Sequence, residues 1–505
     1  MKTNKFDKIL DIAKRRGFFW QSALIYEPIS GFYDYGHIGT LIKRRFENLW
    51  RRYFIGLDDN FYEIETSYIM PKSVFQASGH LKHFVDPVVK CGKCGNTERA
   101  DHVLEDLLKE NFEGMSPSDL MELIKKHNIK CQKCKGFLKE AGEINMMFPL
   151  KIGTGTEART GFLTAETAQG AYLNFKLEFE ALRKRMPFGL AIIGKAFRNE
   201  ISPRNALIRM REFTQAELQI FFDPKEINQH PKFKEVATYK LRVFPVKNRK
   251  KNKIDNISCK DVVNKLGLQK FYVYFMAKTQ QFYLDVLKLP KEMFRFRELS
   301  KEERAFYNKY HWDIEMKLES LGGWKELAGC HYRTDYDLKG HEKVSGKDMA
   351  VNIDGNAFIP HVCELSFGVD RNIYALLELS LREDKERTWL RFPRVLSPFD
   401  AVVFPLVRKD GLPEKAREVQ KVLEHAGFAT FFDSSGSIGR MYRRVDEIGQ
   451  AASLTIDYDS LKKNDCTLRD RDTMKQIRVK IKDLPLILRE FINGKEIKGL
   501  GRIIN

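Results

Sequence analysis

The sequence predicts an α+β fold, a large region built around a strand hairpin followed by a smaller α/β domain. Three observations lead there. Gly189 to Phe222 (GLAIIGKAFRNEISPRNALIRMREFTQAELQIFF) reads as apolar strand, polar turn and second strand. A composition shift at Thr388 to Pro398 (TWLRFPRVLSP) reads as a domain junction. Beyond it, strand-like and helix-like stretches alternate, as an α/β domain with a parallel or mixed sheet requires.

The hairpin is the most informative segment. Pro203 and Asn205 mark its turn. Strand alternation places Arg198 and Glu200 on one face, and Arg209, Arg211, Phe213, Gln215 and Glu217 on one face of the returning strand. Brought together, these rows make a floor of guanidinium groups, carboxylates and one aromatic ring. Such a floor suits a nucleoside triphosphate, with cations for phosphate and a flat ring for the base; it equally describes a salt-bridged surface hairpin.

In the smaller domain, the apolar run Ala401 to Val407 predicts a buried strand. A helix follows, with Pro413 at its first position, Ala416, Val419, Val422, Leu423 and Ala426 on one face, and Gly427 ending it. Phe428 to Phe432 is the expected second strand, Ile438 to Ala452 the second helix and Ser453 to Asp457 the third strand.

At 505 residues the chain has room for two or three domains. Its 87 Lys and Arg against 68 Asp and Glu give a net charge of +19. That favours either a polyanionic partner or a solvated basic surface without one. The run Lys247 to Lys253 (KNRKKNK) carries the same ambiguity between an RNA contact and a solvated loop. No stretch approaches the roughly 18 to 20 apolar residues of a membrane span, and MKTNKFDKIL lacks the apolar core of a secretory signal, so a cytoplasmic protein is expected.

Four of the eight cysteines form two knuckles, Cys91-x-x-Cys94-Gly and Cys131-x-x-Cys134-Lys-Gly. Four thiolates at this spacing predict a closed, structural zinc site; the competing reading is four reduced thiols without metal. Asp101 to His127 between the pairs looks helical, so the knuckles would clamp the base of an insertion. Cys259, Cys330, Cys363 and Cys466 are isolated and read as buried thiols.

Three segments, in order, carry a resemblance. FRNE followed by IRMREFTQAE resembles the second signature motif of class II aminoacyl-tRNA synthetases, in the form used by glycyl-tRNA synthetases. Gly31 to Phe54 (GFYDYGHIGTLIKRRFENLWRRYF) resembles the first, a dimer-interface helix, and Pro360 to Leu379 (PHVCELSFGVDRNIYALLEL) the third. With the C-terminal DSSGSIGRMYRRVDEIG, the likeness spans essentially the whole chain. It implies a class II antiparallel catalytic sheet with helices over residues 1–390. That domain would carry a zinc-bearing insertion at about 84–145 and a second insertion at about 228–312. An anticodon-binding α/β domain would occupy 396–505. It further implies a homodimer acting on glycine, ATP and tRNA(Gly), with magnesium.

Carried over residue by residue, the resemblance gives catalytic roles to Arg198, Glu200 and Arg371. Arg198 would hold the α-phosphate, Phe213 would stack on adenine and Arg371 would sit near the γ-phosphate. Asn199, Ile208, Arg209, Met210, Arg211, Glu212, Leu327, Gly368, Val369 and Asp370 complete the implied ATP contacts, and Glu326 would hold magnesium. For glycine the implied set is Arg99, Glu166, Phe213, Thr214, Gln215, Ala216, Glu217, Glu364, Leu365, Ser366, Phe367 and Gly368. The chemistry agrees with the inventory. Attack of a carboxylate on the α-phosphate needs alignment and charge neutralisation rather than a proton-transfer triad. Every competing amino acid is larger than glycine, so steric rejection suffices and no editing domain is expected.

His37-Ile-Gly-Thr resembles the HIGH signature of the unrelated class I synthetases, but its fourth position is wrong and no KMSKS-like segment follows. No GxxxxGK[ST] or GxGxxG element is present. Two other readings stay open: a class II synthetase for threonine, proline or histidine, and a non-catalytic RNA-binding relative.

Overall fold

The computed structural model describes residues 4–108, 112, 115–305 and 307–504. Its centre is a nine-stranded sheet. In chain order the strands are β1 (Phe61–Glu63), β2 (Phe188–Phe197), β3 (Glu212–Phe222), β4 (Lys240–Phe244), β5 (Asp255–Ser258), β6 (Phe294–Glu298), β7 (Tyr310–Leu318), β8 (Gly323–Thr334) and β9 (His361–Gly368). Across the sheet they run β5-β4-β6-β7-β8-β9-β3-β2-β1. All neighbours are antiparallel except β1 with β2 and β4 with β6. The segment expected as a second insertion thus extends this sheet through β4, β5 and β6.

One face of the sheet is covered by helices. The helix α1 (His37–Phe54) buries Phe46, Trp50 and Phe54, and Phe54 lies 4.9 Å from the Phe367 ring. Burial of each such ring is worth about 1.5 to 3 kcal/mol. Only glycine fits at position 39, because a Cβ there would lie 1.8 Å from the Phe18 carbonyl oxygen. Two further helices bracket the site: α2 (Ala168–Ala181), and α3 (Val369–Ser380), which leaves the end of β9.

The expected hairpin is present, but its charged rows are not. Pairing of β2 with β3 ends at Phe197 and Glu212, so Arg198, Glu200, Arg209 and Arg211 lie in the connection rather than on the strands. Pro203 has no amide hydrogen for a ladder, and Asn205 and Ala206 adopt left-handed backbone (φ 64° and 52°). The Arg211 amide donates instead to the Gly31 carbonyl (2.8 Å).

The cysteine-bearing insertion is a separate three-stranded sheet, Thr97–Arg99, Val85–Cys91 and Leu138–Asn145. The helical character expected over 101–127 is carried, among the described residues, by two helices, Ala100–Leu108 and Pro117–Lys126. Ser116 caps the second, its side chain accepting from the Asp119 amide, and Pro117 suits the first turn.

The C-terminal domain has the expected alternation: β10 (Ala401–Pro405), α4 (Leu412–His425), β11 (Thr430–Phe432), α5 (Ile438–Glu447), β12 (Ala452–Ile456), β13 (Asp465–Asp470), β14 (Gln476–Lys480) and β15 (Ile503–Ile504). The order β11-β10-β12-β13-β14-β15 makes a mixed sheet, parallel in its first three strands. The helix expected to reach Ala452 stops at Glu447, because Gly449 turns the chain at φ +76°. At the junction Arg387 is buried and donates to Asp446 (2.8 Å), and Phe392 and Leu396 share a core with Met441 and Val445.

Candidate active site

The site begins with strand register. β7, β8, β9 and β3 lie side by side, so residues far apart in sequence become cross-strand neighbours. One row reads His311, His331, Glu364, Gln219; the next reads Asp313, Gly329, Ser366, Glu217. Their seven side chains, Gly329 having none, project to the face away from α1, while Ala216, Leu365 and Phe367 project into the core. Over this polar face is a cavity of about 470 Å³. The Arg198–Arg211 connection, the start of α3, Phe84 of the insertion, and Arg297, Leu299, Glu303, Ala305 and Tyr307 wall it.

One end is a carboxylate cluster around a buried guanidinium. Arg333, 1% exposed, donates to Glu364 (2.9 Å), Glu166 (3.1 Å) and Asp337 (2.8 Å). Burial would raise both glutamates, but Arg333 overcomes it and keeps Glu364 ionised, down to about 2, and Glu166 well below the usual range. Glu217 differs. It accepts from Thr167 (2.7 Å), Gln215 (2.8 Å) and Ser366 (2.6 Å), and no cation pairs with it among the described residues. Burial first, then the carboxylates of Glu364 and Glu166, push it up to about 8. Because the native state keeps a proton that the unfolded chain has released, this group costs stability progressively as pH rises from about 4.5 through about 8.

The other end is cationic and aromatic. The Arg198 guanidinium lies 5.2 Å from the Phe213 ring and 5.3 Å from the Phe84 ring, and its Nε donates to the Ala165 carbonyl (3.1 Å). Arg209 pairs with Glu200 (3.5 Å) and donates to His102 Nε2 (2.7 Å). Burial and the neighbouring Arg209 and Arg99 hold His102 down near 3, so its lone pair is free to accept. Arg371, in the first turn of α3, pairs with Glu326 (3.0 Å) and donates to the Ile208 carbonyl (3.0 Å).

The cavity therefore gathers Glu166, Arg198, Glu200, Ile208, Arg209, Met210, Phe213, Thr214, Gln215, Glu217, Glu326, Glu364, Ser366, Gly368, Asp370 and Arg371 from the expected set. The others lie elsewhere. Leu327 and Val369 are core residues. Arg211 reaches the Ser30 and Glu200 carbonyls, Glu212 pairs with Lys195 (3.0 Å), and the Asn199 amide donates to the Met146 carbonyl. Arg99 is fixed between Asp86 (2.9 Å) and Asp101, both in the insertion. Asp370 accepts from Tyr35 (2.6 Å) and from the Thr214 amide, so it ties the first and second motifs together.

Sequence reading missed Arg333, Asp337, His102 and the His311–His331 pair. Arg333 and Asp337 stand four residues apart, the one local signal for their ion pair. His102 had no such signal, since only the tertiary fold carries this part of the insertion to Arg209.

Among the described residues, Cys91, Cys94, Cys131 and Cys134 place their sulfur atoms within 4.8 Å of one another. The pairs Cys91–Cys134 and Cys94–Cys131 are 3.5 and 3.7 Å apart. Four sulfurs around zinc at about 2.3 Å require separations of about 3.8 Å, so this cluster fits the ion. The Lys247–Lys253 run forms an exposed turn, with Arg249 turned inward to Glu303 (2.6 Å). No helix among the described residues is long and apolar enough to cross a membrane.

Comparison with known proteins agrees with this layout. Residues 156–380 match the tRNA synthetase class II core domain (G, H, P, S and T), and residues 400–491 match an anticodon binding domain. The chain is 38% identical to glycine–tRNA ligase of Aeropyrum pernix, over 99% of both chains. It is also 38% identical to that of Pyrococcus furiosus, over 98% of this chain and 100% of the relative. The Methanococcus vannielii ligase is 35% identical, over 94% and 98%.

Proposed function

The chain belongs to the glycine–tRNA ligase family of class II aminoacyl-tRNA synthetases, and from that premise we propose how its own residues divide the work. The enzyme joins glycine to tRNA(Gly) at the expense of ATP. A glycine carboxylate oxygen bonds to the α-phosphorus of ATP as the bond to the β-phosphate oxygen breaks, releasing pyrophosphate. The tRNA 3′-terminal hydroxyl then adds to the adenylate carbonyl, and AMP leaves.

Arg198 holds the α-phosphate, Phe213 lies under adenine, and Arg209, Glu200 and Arg371 complete the nucleotide end. Glu326 offers an oxygen ligand open to the cavity, the donor type magnesium takes; the ion, when bound, neutralises charge on the phosphates. At the other end Glu217 and Ser366, with Glu166 and Glu364 behind them, receive the glycine ammonium. The single observation that carries this reading is the uncompensated Glu217. It is the one buried carboxyl of the cluster with no cation, in a recess too polar for an apolar side chain.

At pH 7 an ammonium arriving at Glu217 displaces a proton into solvent. Glycine binding is therefore expected to release close to one proton at pH 7, measurable by calorimetry in buffers of different ionisation enthalpy. Glu217→Gln is expected to abolish that release and raise the glycine KM by about 10²-fold, with the ATP KM unchanged. An unchanged glycine KM would remove Glu217 from the site.

We place the catalytic domain at 1–390, with a zinc-bearing insertion at about 84–145 and a sheet extension at about 228–312, and the tRNA-reading domain at 396–505. The reaction belongs in the cytoplasm, where charged tRNA is consumed. Structural zinc at the four cysteines fixes the insertion that carries Phe84 to the cavity and His102 to Arg209. A homodimer through the first motif is supported by Leu24, Ile25, Tyr26 and Ile29, an exposed apolar edge leading into α1. One preparation tests both claims. Light scattering should give about twice 59 kDa, and metal analysis one zinc per chain, lost in Cys131→Ser. A monomer at micromolar concentration or a zinc-free native chain would contradict them.

A further inference from the structure

We propose that His331 is the residue that sets the pocket's exclusion of amino acids larger than glycine, and that it does so while positioning Glu364. The inference rests on the assignment of the amino acid to Glu217 and Ser366 and deepens it.

The register supplies the reason. Gly329 stands between Asp313 and Ser366 in one cross-strand row, and His331 is two residues along the same face of β8. With no side chain at 329, the imidazole leans into the vacant column. A Cβ at Gly329 would lie 2.4 Å from His331 Nε2, so the ring covers ground that any other residue at 329 would have taken. The ring is fixed from both sides. Its Nδ1 donates to Glu364 Oε1, and its Nε2 lies 2.9 Å from His311 Nε2, which in turn stands 3.0 Å from Asp313. Arg333 and Gln219 (2.7 Å) hold the other oxygen of Glu364. The imidazole is thus a wall braced by partners on the two neighbouring strands, and it faces the cavity rather than the core.

A substrate with its ammonium at Glu217 and Ser366 carries its α-carbon over Gly329, beside the edge of this wall. Glycine presents only hydrogen there. Alanine or serine presents a methyl or hydroxymethyl group against a ring that cannot retreat without giving up both Glu364 and His311. Selectivity against one added carbon is therefore built by a side chain from β8, not by the carboxylates.

The test is ATP–pyrophosphate exchange by the full-length enzyme with glycine, alanine and serine. His331→Ala opens the wall. The ratio of kcat/KM for glycine over alanine is expected to fall at least about tenfold, the scale of one carbon in a steric pocket. Glycine activity itself should fall as well, because Glu364 loses a donor. His331→Gln, which refills the space and keeps an amide for Glu364, should restore the ratio. His331→Asn, smaller but polar, is read in the same way if the alanine variant does not fold, and it too should lose selectivity. A ratio unchanged in the smaller variants, whether or not glycine activity drops, overturns the proposal. Glu217→Gln separates this failure from failure of the underlying site. If Glu217→Gln weakens glycine and His331→Ala keeps its selectivity, only the role of His331 is wrong; if Glu217→Gln leaves glycine unaffected, the site itself is misplaced.

Discussion

Arg198→Ala is expected to lower glycine-dependent ATP–pyrophosphate exchange by about 10²- to 10³-fold while leaving tRNA affinity intact. The magnitude follows from what the group would neutralise. Charge builds on the α-phosphate as the carboxylate attacks, and a fixed guanidinium in a partly enclosed cavity stabilises it without reorganisation. Arg198 is prearranged for this role: the Ala165 carbonyl fixes its Nε, and the Phe84 and Phe213 rings stand 5.3 and 5.2 Å from its guanidinium. Removal deletes a cation but leaves both rings and the surrounding ladder, so the fold should survive. The variant's melting temperature and tRNA binding by filter retention provide the controls. Exchange retained within about threefold of the parent would refute the assignment.

Arg333→Met should have the largest effect on stability, about 3 to 5 kcal/mol in denaturant unfolding at neutral pH. Methionine nearly fills the volume, so the loss is electrostatic. Glu166, Glu364 and Asp337 are left buried without the guanidinium, with only the imidazoles of His80 and His331 beside the two glutamates. The pH dependence distinguishes this from a packing defect. In the parent, the depressed pKa of Glu364, about 2, contributes stability that is present above about 4.5 and lost as pH falls towards 2. Without Arg333 the carboxyls take up protons at higher pH, so the penalty should be greatest near pH 8 and smaller near pH 5. A penalty independent of pH would mean the cluster is not held by charge.

What the sequence disclosed and what it hid divide along one line. Local patterns were legible. The apolar run before Arg198 and the alternation after Glu212 gave β2 and β3, and the Pro413 and Gly427 signals bounded α4. The two CxxC knuckles converge as their spacing predicted. Non-local register was not legible. His311, His331, Glu364 and Gln219 form a row only because four strands, spread over about 145 positions, lie adjacent in the sheet. No periodicity within one strand announces its neighbour. The connection 198–211 failed for a different reason. Pro203 and Asn205 did mark the turn, but strand alternation was carried past Phe197 to Glu200 and begun again at Arg209, whereas the ladder ends at Phe197 and Glu212. Arg198 and Arg371 face the cavity all the same, carried by a loop and a helix start rather than by a strand face.

The central claim is that glycine's ammonium enters the recess at Glu217 and its adenylate extends towards Arg198. A crystal structure with a sulfamoyl analogue of glycyl-adenylate tests it most directly. The expected result is the ammonium within hydrogen-bonding distance of Glu217 and Ser366, the α-carbon beside His331 and the adenine against Phe213. An analogue bound with its amine at Asp313 or Glu326, leaving the Glu217–Ser366 bond undisturbed, would contradict the account.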